Sequence, residues 1–266
     1  MGHVSSNAMN KLFDVSGLVV VITGACGLVG RRLAAGFHDS AAKLVLVDLA
    51  AADPIVFARQ LGGETLGVAC DVSDSRQVTS VVELCIEAFS RVDVLITCHQ
   101  HKATGFLESK AEHFPEVLWD DILNVNLKGT FLLCREFGRQ MIDQGSGSII
   151  NMASVYGLVS SNPNLYLTNS MGNPVAYSAS KGGVIMLSKY LAAYWASHGI
   201  RVNCITPHGV YKDHEETFIA SFSEMSPMGR MMRSDEILGA VFFLASSASS
   251  YVTGANVVVD GGWTAW

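Results

Sequence analysis

The chain has 266 residues, 49% of them hydrophobic and 16% charged, with a mean hydropathy of +0.31, which suits one large α/β domain, or two small ones, with a substantial core. The net charge of −6, from 18 Lys and Arg against 24 Asp and Glu, comes with no basic cluster, which argues against a nucleic-acid partner. No apolar run approaches the roughly 20 residues of a membrane-spanning helix, and no basic amino terminus precedes an apolar secretion segment, so a soluble cytoplasmic protein is expected.

Residues 1–11 read as an amino-terminal segment outside the fold, frayed or left over from cloning. Leu18 to Ile22 is a short, continuously apolar run, as expected for a strand buried on both faces. It leads into Thr23-Gly-Ala-Cys-Gly-Leu-Val-Gly30 and a helix-like stretch from Arg31 to Phe37. Further strands are expected at Lys43 to Asp48, Gly67 to Val72 and Val92 to Thr97. The polar residues Ser73 to Ser75 cap a helix that runs to about Phe89. A helix from about Trp119 to Phe137 precedes a strand from Ser148 to Met152. A long helix from Tyr177 to Ser197 precedes the strand Arg201 to Ile205. Asp235 to Leu244 is helical, and Asn256 to Val259 is a last strand. This alternation at βαβ spacing predicts a parallel sheet covered by helices, and no linker-like glycine cluster divides residues 12–266. Two segments break the rhythm after strand ends, Leu158 to Val175 and a lid-like stretch at 208–233. Open parallel sheets bind ligands at such places.

Gly24, Gly27 and Gly30 lie between a buried strand and a helix. Side chains there would obstruct the turn, a pyrophosphate or helix–strand packing, so the pattern points to a dinucleotide. Asp48 closes the second strand, where a carboxylate accepts ribose hydroxyls and repels a 2′-phosphate, so NAD is expected over NADP. Asp71 reads either as a partner for adenine or as a local cap for Ser73 to Ser75. If Tyr177 opens a helix, Lys181 sits one turn later on the same face, bringing an ammonium near a phenol, with Ser154 at the end of an upstream apolar run. The six cysteines, Cys26, Cys70, Cys85, Cys98, Cys134 and Cys204, form no C-x-x-C pair and read as buried free thiols. His99, His101, His208 and His214 lack the spacing of a metal site, and none is expected.

Seven ordered segments carry a resemblance to the short-chain dehydrogenase/reductase family. They are the glycine turn, Cys70-Asp-Val72, Asn124-Val-Asn-Leu-Lys-Gly129, Ser148-Ile-Ile-Asn-Met-Ala-Ser154, Tyr177-Ser-Ala-Ser-Lys181, Arg201-Val-Asn203 and Val259-Asp-Gly-Gly262. The ending Asp260-Gly-Gly-Trp-Thr-Ala-Trp266 and the longer loop before the tyrosine look most like the branch labelled flagellin-modification or nonulosonic-acid pathway dehydrogenases. The resemblance implies a three-layer α/β Rossmann fold with a central parallel sheet of about seven strands and helices on both faces. It implies Tyr177 as acid/base, Lys181 lowering its pKa and holding the nicotinamide ribose, Ser154 positioning the substrate oxygen, and Asn126 kinking its helix within a proton relay. Cofactor contacts are implied for Gly24, Gly27, Leu28, Val29, Gly30, Asp48, Asp71, Val72, Thr97, Cys98, His99, Tyr177, Lys181, Pro207, Gly209 and Val210. Substrate contacts are expected from Ser154, Tyr156 and His208.

The implied activity interconverts a secondary alcohol and a ketone on a small-molecule substrate, with a sugar or sugar derivative expected. The expected assembly is a homotetramer, or a homodimer, with the apolar carboxyl-terminal strand and the aromatic tail from Trp263 in one interface. Three departures stand out. The middle glycine is displaced to Gly27. Pro207-His208-Gly209 replaces a Pro-Gly pair. Thr97-Cys-His-Gln100 replaces Asn-Asn-Ala-Gly, so that His99 and Gln100 either crowd the adenosine ribose or force another local path. Alternatives are an NAD-retaining nucleotide-sugar epimerase or dehydratase, and a non-enzymatic binding protein with an altered cofactor site.

Overall fold

The computed structural model describes residues 11–101, 110–166 and 175–266. Seven strands form one sheet in the order β3-β2-β1-β4-β5-β6-β7, every pairing parallel. They are β1 Val19–Thr23, β2 Lys43–Asp48, β3 Thr65–Ala69, β4 Val94–Thr97, β5 Gly147–Met152, β6 Ile200–Pro207 and β7 Asn256–Val259. The helices between them are α1 Leu28–Asp39, α2 Pro54–Leu61, α3 Ser75–Phe89, α4 Glu116–Leu123, α5 Thr130–Gln144, α6 Val175–Trp195, α7 Glu216–Glu224 and α8 Leu238–Ala245.

Alternate residues of one strand leave the sheet on opposite faces, and each face here has its own core. Val19 and Val21 of β1 join Val45 and Val47 of β2 against Val78, Phe137 and Trp195 of α3, α5 and α6. Val20 and Ile22 join Leu44 and Leu46 against Leu33 and Phe37 of α1 and Val241 of α8. Burial on both sides explains why β1, β2 and β4 read as apolar runs. The strand order reverses between β1 and β4, paired Ile22 to Ile96 and Thr23 to Thr97. The carboxyl ends of β1, β4, β5 and β6 therefore open onto one crevice.

The helix expected from Trp119 to Phe137 is interrupted. Between α4 and α5 the chain makes a π turn, Asn124–Gly129. The Thr130 hydroxyl donates to the Asn126 carbonyl at 2.8 Å, and the Asn126 side chain is buried in the turn. The third strand begins at Thr65 rather than Gly67, and the cap of α3 is Asp74, which accepts the Arg76 N–H at 2.9 Å. Asp235 lies ahead of α8 rather than within it. Of the aromatic tail, Trp266 is exposed and Trp263 is not. The Trp263 indole is buried within its own chain and stacks on Phe222 at 4.7 Å between ring centroids. Among the described residues, no helix is long and apolar enough to cross a membrane.

Candidate active site

The crevice at the strand ends is a cleft of about 1170 Å³. Its cofactor end is the glycine turn. Gly24 has φ +65°, a left-handed conformation that suits glycine, and a Cβ there would lie 2.7 Å from the His99 Cα. A Cβ on Gly30 would collide with the Gly24 carbonyl. The displaced Gly27 is the N-cap of α1, and with Leu28, Val29 and Gly30 it lines the cleft. The unpaired N–H groups of that first turn favour an anion. Asp48 accepts the Cys26 N–H at 2.8 Å on one oxygen and the Leu49 N–H at 2.8 Å on the other. That fixes the carboxylate at the cleft wall between the glycine turn and β2. Asp71 lines the same end with Val72, and it also accepts the Ser73 N–H at 2.9 Å and hydroxyl at 2.7 Å, so the local cap is real. A backbone cradle that side chains would fill, beside a fixed carboxylate, fits an adenine dinucleotide.

The His99 ring does not crowd this end. It turns inward, where Nε2 donates to the Val125 carbonyl at 3.1 Å. Because that carbonyl can only accept, Nδ1 accepts the Thr23 hydroxyl at 2.8 Å. Burial drives the His99 pKa down to about 3, with the Lys181 charge adding to the effect, so the imidazole is neutral. Of the four residues from Thr97 to Gln100, Gln100 alone is exposed, and it stands at the cleft wall. Cys98 is half-buried and lines the cleft, whereas Thr97 does not. The Thr97 hydroxyl donates to Asn151 Oδ1 at 2.8 Å inside the protein, which removes it from the expected cofactor contacts.

At the other end, Ser154 follows β5 and Tyr177 and Lys181 stand on α6, all three lining the cleft. The Ser154 side chain lies close enough to the Tyr177 phenol to favour its charged form. Burial raises the Tyr177 pKa above the ordinary 10, outweighing the Ser154 side chain that lowers it, and nearby Tyr166 raises it further. Lys181 stands one helical turn beyond Tyr177 on α6. Its Nζ donates to the Met152 carbonyl at 2.8 Å and lies 5.8 Å from the Tyr177 ring centroid. Burial also brings the Lys181 pKa down to about 8. Asn126 does not line the cleft. It accepts the His101 N–H at 2.8 Å and donates to Ser180 Oγ at 3.2 Å, and that hydroxyl donates to the Tyr177 carbonyl at 2.7 Å. The π turn is thereby tied to the turn of α6 that carries the phenol.

Tyr156, His208, Pro207, Gly209 and Val210 line the cleft as expected. Phe218 and Phe222 are wall residues that the sequence did not point to, and Tyr166 joins them from the loop before α6. The Tyr166 hydroxyl pairs with that of Tyr156 at 2.7 Å, and its position in a loop that breaks the strand–helix rhythm was the available signal. Of the charged lid residues, Lys212 lines the cleft, but Arg230 is held by Glu236 at 2.7 and 2.6 Å. Met231 and Met232 are buried core. Among the described residues, no group of three or more His, Cys, Asp or Glu side chains could hold a metal ion.

Comparison with known proteins agrees with this geometry. The family described as Enoyl-(Acyl carrier protein) reductase matches residues 24–264. A D-threitol dehydrogenase of Mycolicibacterium smegmatis is 36% identical over 95% of both chains. An NAD-dependent glycerol dehydrogenase of Listeria innocua is 31% identical over 96% of this chain and 97% of its own. Among solved structures, a short chain dehydrogenase from Leptospira borgpetersenii with bound NAD+ superposes with a TM-score of 0.84 at 30% identity, covering 94% of each chain. A gluconate 5-dehydrogenase from Burkholderia cenocepacia in complex with NADP and tartrate gives a TM-score of 0.86 at 28% identity, over 97% of this chain and 99% of its own. With its seven parallel strands, glycine cradle and serine–tyrosine–lysine cluster, the chain belongs to the short-chain dehydrogenase/reductase family of NAD(P)-dependent oxidoreductases acting on CH–OH groups.

Proposed function

We propose that the chain is an NAD-dependent dehydrogenase interconverting a secondary alcohol and a ketone on a polyhydroxylated small molecule, a sugar alcohol or related sugar derivative. The observation that carries this reading is that Ser154, Tyr177 and Lys181 line the same cleft as the Asp48 carboxylate. A bound nicotinamide would supply the hydride acceptor or donor. Tyr177 holds the proton that passes to or from the substrate oxygen, and Ser154 orients that oxygen. Lys181, braced on the Met152 carbonyl, offers its remaining N–H donors to the cofactor ribose and to the phenol. Asn126 acts from behind as a positioning residue. Asp48 meets the ribose hydroxyls and disfavours a 2′-phosphate by like-charge repulsion.

Residues 12–266 would form the single catalytic domain, with 208–233 as its substrate lid. The resemblance to flagellin-modification dehydrogenases rests on the ending and the longer loop alone, and part of that loop, 167–174, lies outside the described residues. The polyol names of the relatives favour the broader substrate class. A cytoplasmic setting fits six unpaired cysteines. Met186, Tyr190 and Tyr194 on α6 and Phe131 on α5 leave large apolar areas exposed, which supports the homotetramer with these helices at a twofold contact.

Titration with NADH and NADPH, followed by NAD-coupled oxidation of D-threitol and glycerol, tests the reading. We expect NADH to bind at least tenfold more tightly than NADPH and NADH to accumulate with one of the polyols. Equal binding of the two nucleotides would overturn the NAD assignment. Retained NAD with turnover but no net NADH would favour the epimerase reading, and binding of neither nucleotide would favour a non-enzymatic role.

A further inference from the structure

His208 stands where a Pro-Gly pair was expected, on the wall shared with Ser154, Tyr156 and Tyr177. It is only 4% exposed. Its backbone N–H is fixed by the Val259 carbonyl at 2.9 Å. Its ring lies against Phe222 at 4.7 Å and Trp263 at 4.9 Å between centroids. Phe222 also lines the cleft, and Phe222, Trp263, Tyr156 and Tyr177 belong to one cluster of packed side chains. In that apolar setting Nε2 is buried and, among the described residues, has no hydrogen-bond partner. A buried polar atom left unpaired costs about 1–3 kcal/mol, and such an atom calls for an explanation. The local turn does not supply one, because phenylalanine would make the same ring contacts without the penalty.

Resting on the dehydrogenase reading above, we propose that the His208 ring is a specificity-determining group that hydrogen-bonds a substrate hydroxyl other than the one that reacts. The partner chemistry follows from the state of the ring. Burial lowers its pKa to about 4 despite the opposing charge of Asp260, so it is neutral near pH 7. A neutral imidazole has one donor and one acceptor nitrogen, and a hydroxyl can satisfy either. The aromatic walls cover the carbon skeleton, while the unpaired Nε2 asks for a second oxygen on the substrate. Monofunctional alcohols and ketones leave it unpaired. A site built to hydrogen-bond a substrate hydroxyl rejects the analogue that lacks it far more strongly than a plain apolar pocket does.

The test compares wild type and His208→Phe on D-threitol and on butan-2-ol with NAD, together with thermal unfolding of both proteins. We expect the ratio of kcat/KM for D-threitol to kcat/KM for butan-2-ol to fall at least tenfold in His208→Phe, with a Tm equal to or above that of wild type. His208→Gln, whose amide nitrogen reaches the place of Nε2, is expected to restore part of the ratio. An unchanged ratio would overturn the proposal. So would a lowered Tm with equal losses on both substrates, since the ring would then be structural. A wild type that binds NAD but oxidises neither compound would overturn the polyol reading itself, which is a different result from an unchanged ratio.

Discussion

In the free protein Tyr177 keeps its proton, because burial opposes the phenolate more than the Ser154 side chain favours it. The group is therefore ready as an acid for ketone reduction, whereas alcohol oxidation must first remove the phenol proton. The pH dependence of kcat/KM reports the free enzyme. We expect kcat/KM for oxidation to climb through the alkaline range, while that for reduction holds from pH 6 to 9. Tyr177→Phe should lose about 10²- to 10⁴-fold in kcat, the usual contribution of a positioned acid/base, and should still bind NADH in a fluorescence titration. Substantial turnover by that variant would transfer the proton to another group. The pairing of Tyr177 with Lys181 was legible because four residues make one helical turn. The direction of the Lys181 ammonium was not legible, since it is set by the Met152 carbonyl on a different strand. His99 shows the same limit. Its size is plain in the sequence, but its inward path depends on Thr23 and Val125, which only the folded chain brings beside it.

At the scale of elements, His99 joins the end of β1 to the π turn, and Asn126 joins that turn to α6. His99→Ala removes both ring hydrogen bonds and leaves a cavity. A loss of about 2–4 kcal/mol in urea unfolding is expected, combining unpaired partners with lost packing. A cost below about 0.5 kcal/mol would mean that the ring is dispensable as a brace. The central strands β1, β2 and β4 were legible from the sequence because they are buried on both faces and read as apolar runs. The π turn was not, because one extra residue per turn leaves no clear mark on a period of 3.6. On α6, the Tyr190 and Tyr194 rings stack at 5.9 Å and are 64% and 65% exposed. If they form the proposed twofold contact, Tyr194→Glu should shift sedimentation toward a smaller species. An unchanged sedimentation coefficient would remove this helix from the interface.

For the whole molecule, the buried thiols set a limit on alkaline stability. Burial raises Cys70, Cys85, Cys98 and Cys134 to about 12 and Cys204 to about 11, from an ordinary value of 9.0. Between those values the unfolded chain has lost these protons and the folded chain has kept them, so stability falls as pH rises. Lys181 works in the opposite sense. Its pKa is lowered from 10.5 to about 8, so its contribution grows over that interval, but it is one group against five. The urea midpoint is expected to drop between pH 8 and pH 10, and Cys85→Ala should lessen the drop. A midpoint that rose would show that the thiols are not protected as described.

The register of β1 has a further consequence for synthesis. Val20 is matched to Leu44 on one side and to Val94 on the other. On a ribosome adding about 5–20 residues per second, the first neighbour emerges within a few seconds, but the second follows several seconds later. During that delay the apolar margin of β1 at residues 19–22 is uncovered in a half-made protein. Chaperone demand should therefore peak before β4 is released, and codon changes that slow translation between β2 and β4 should lower soluble yield more than the same changes placed after β5.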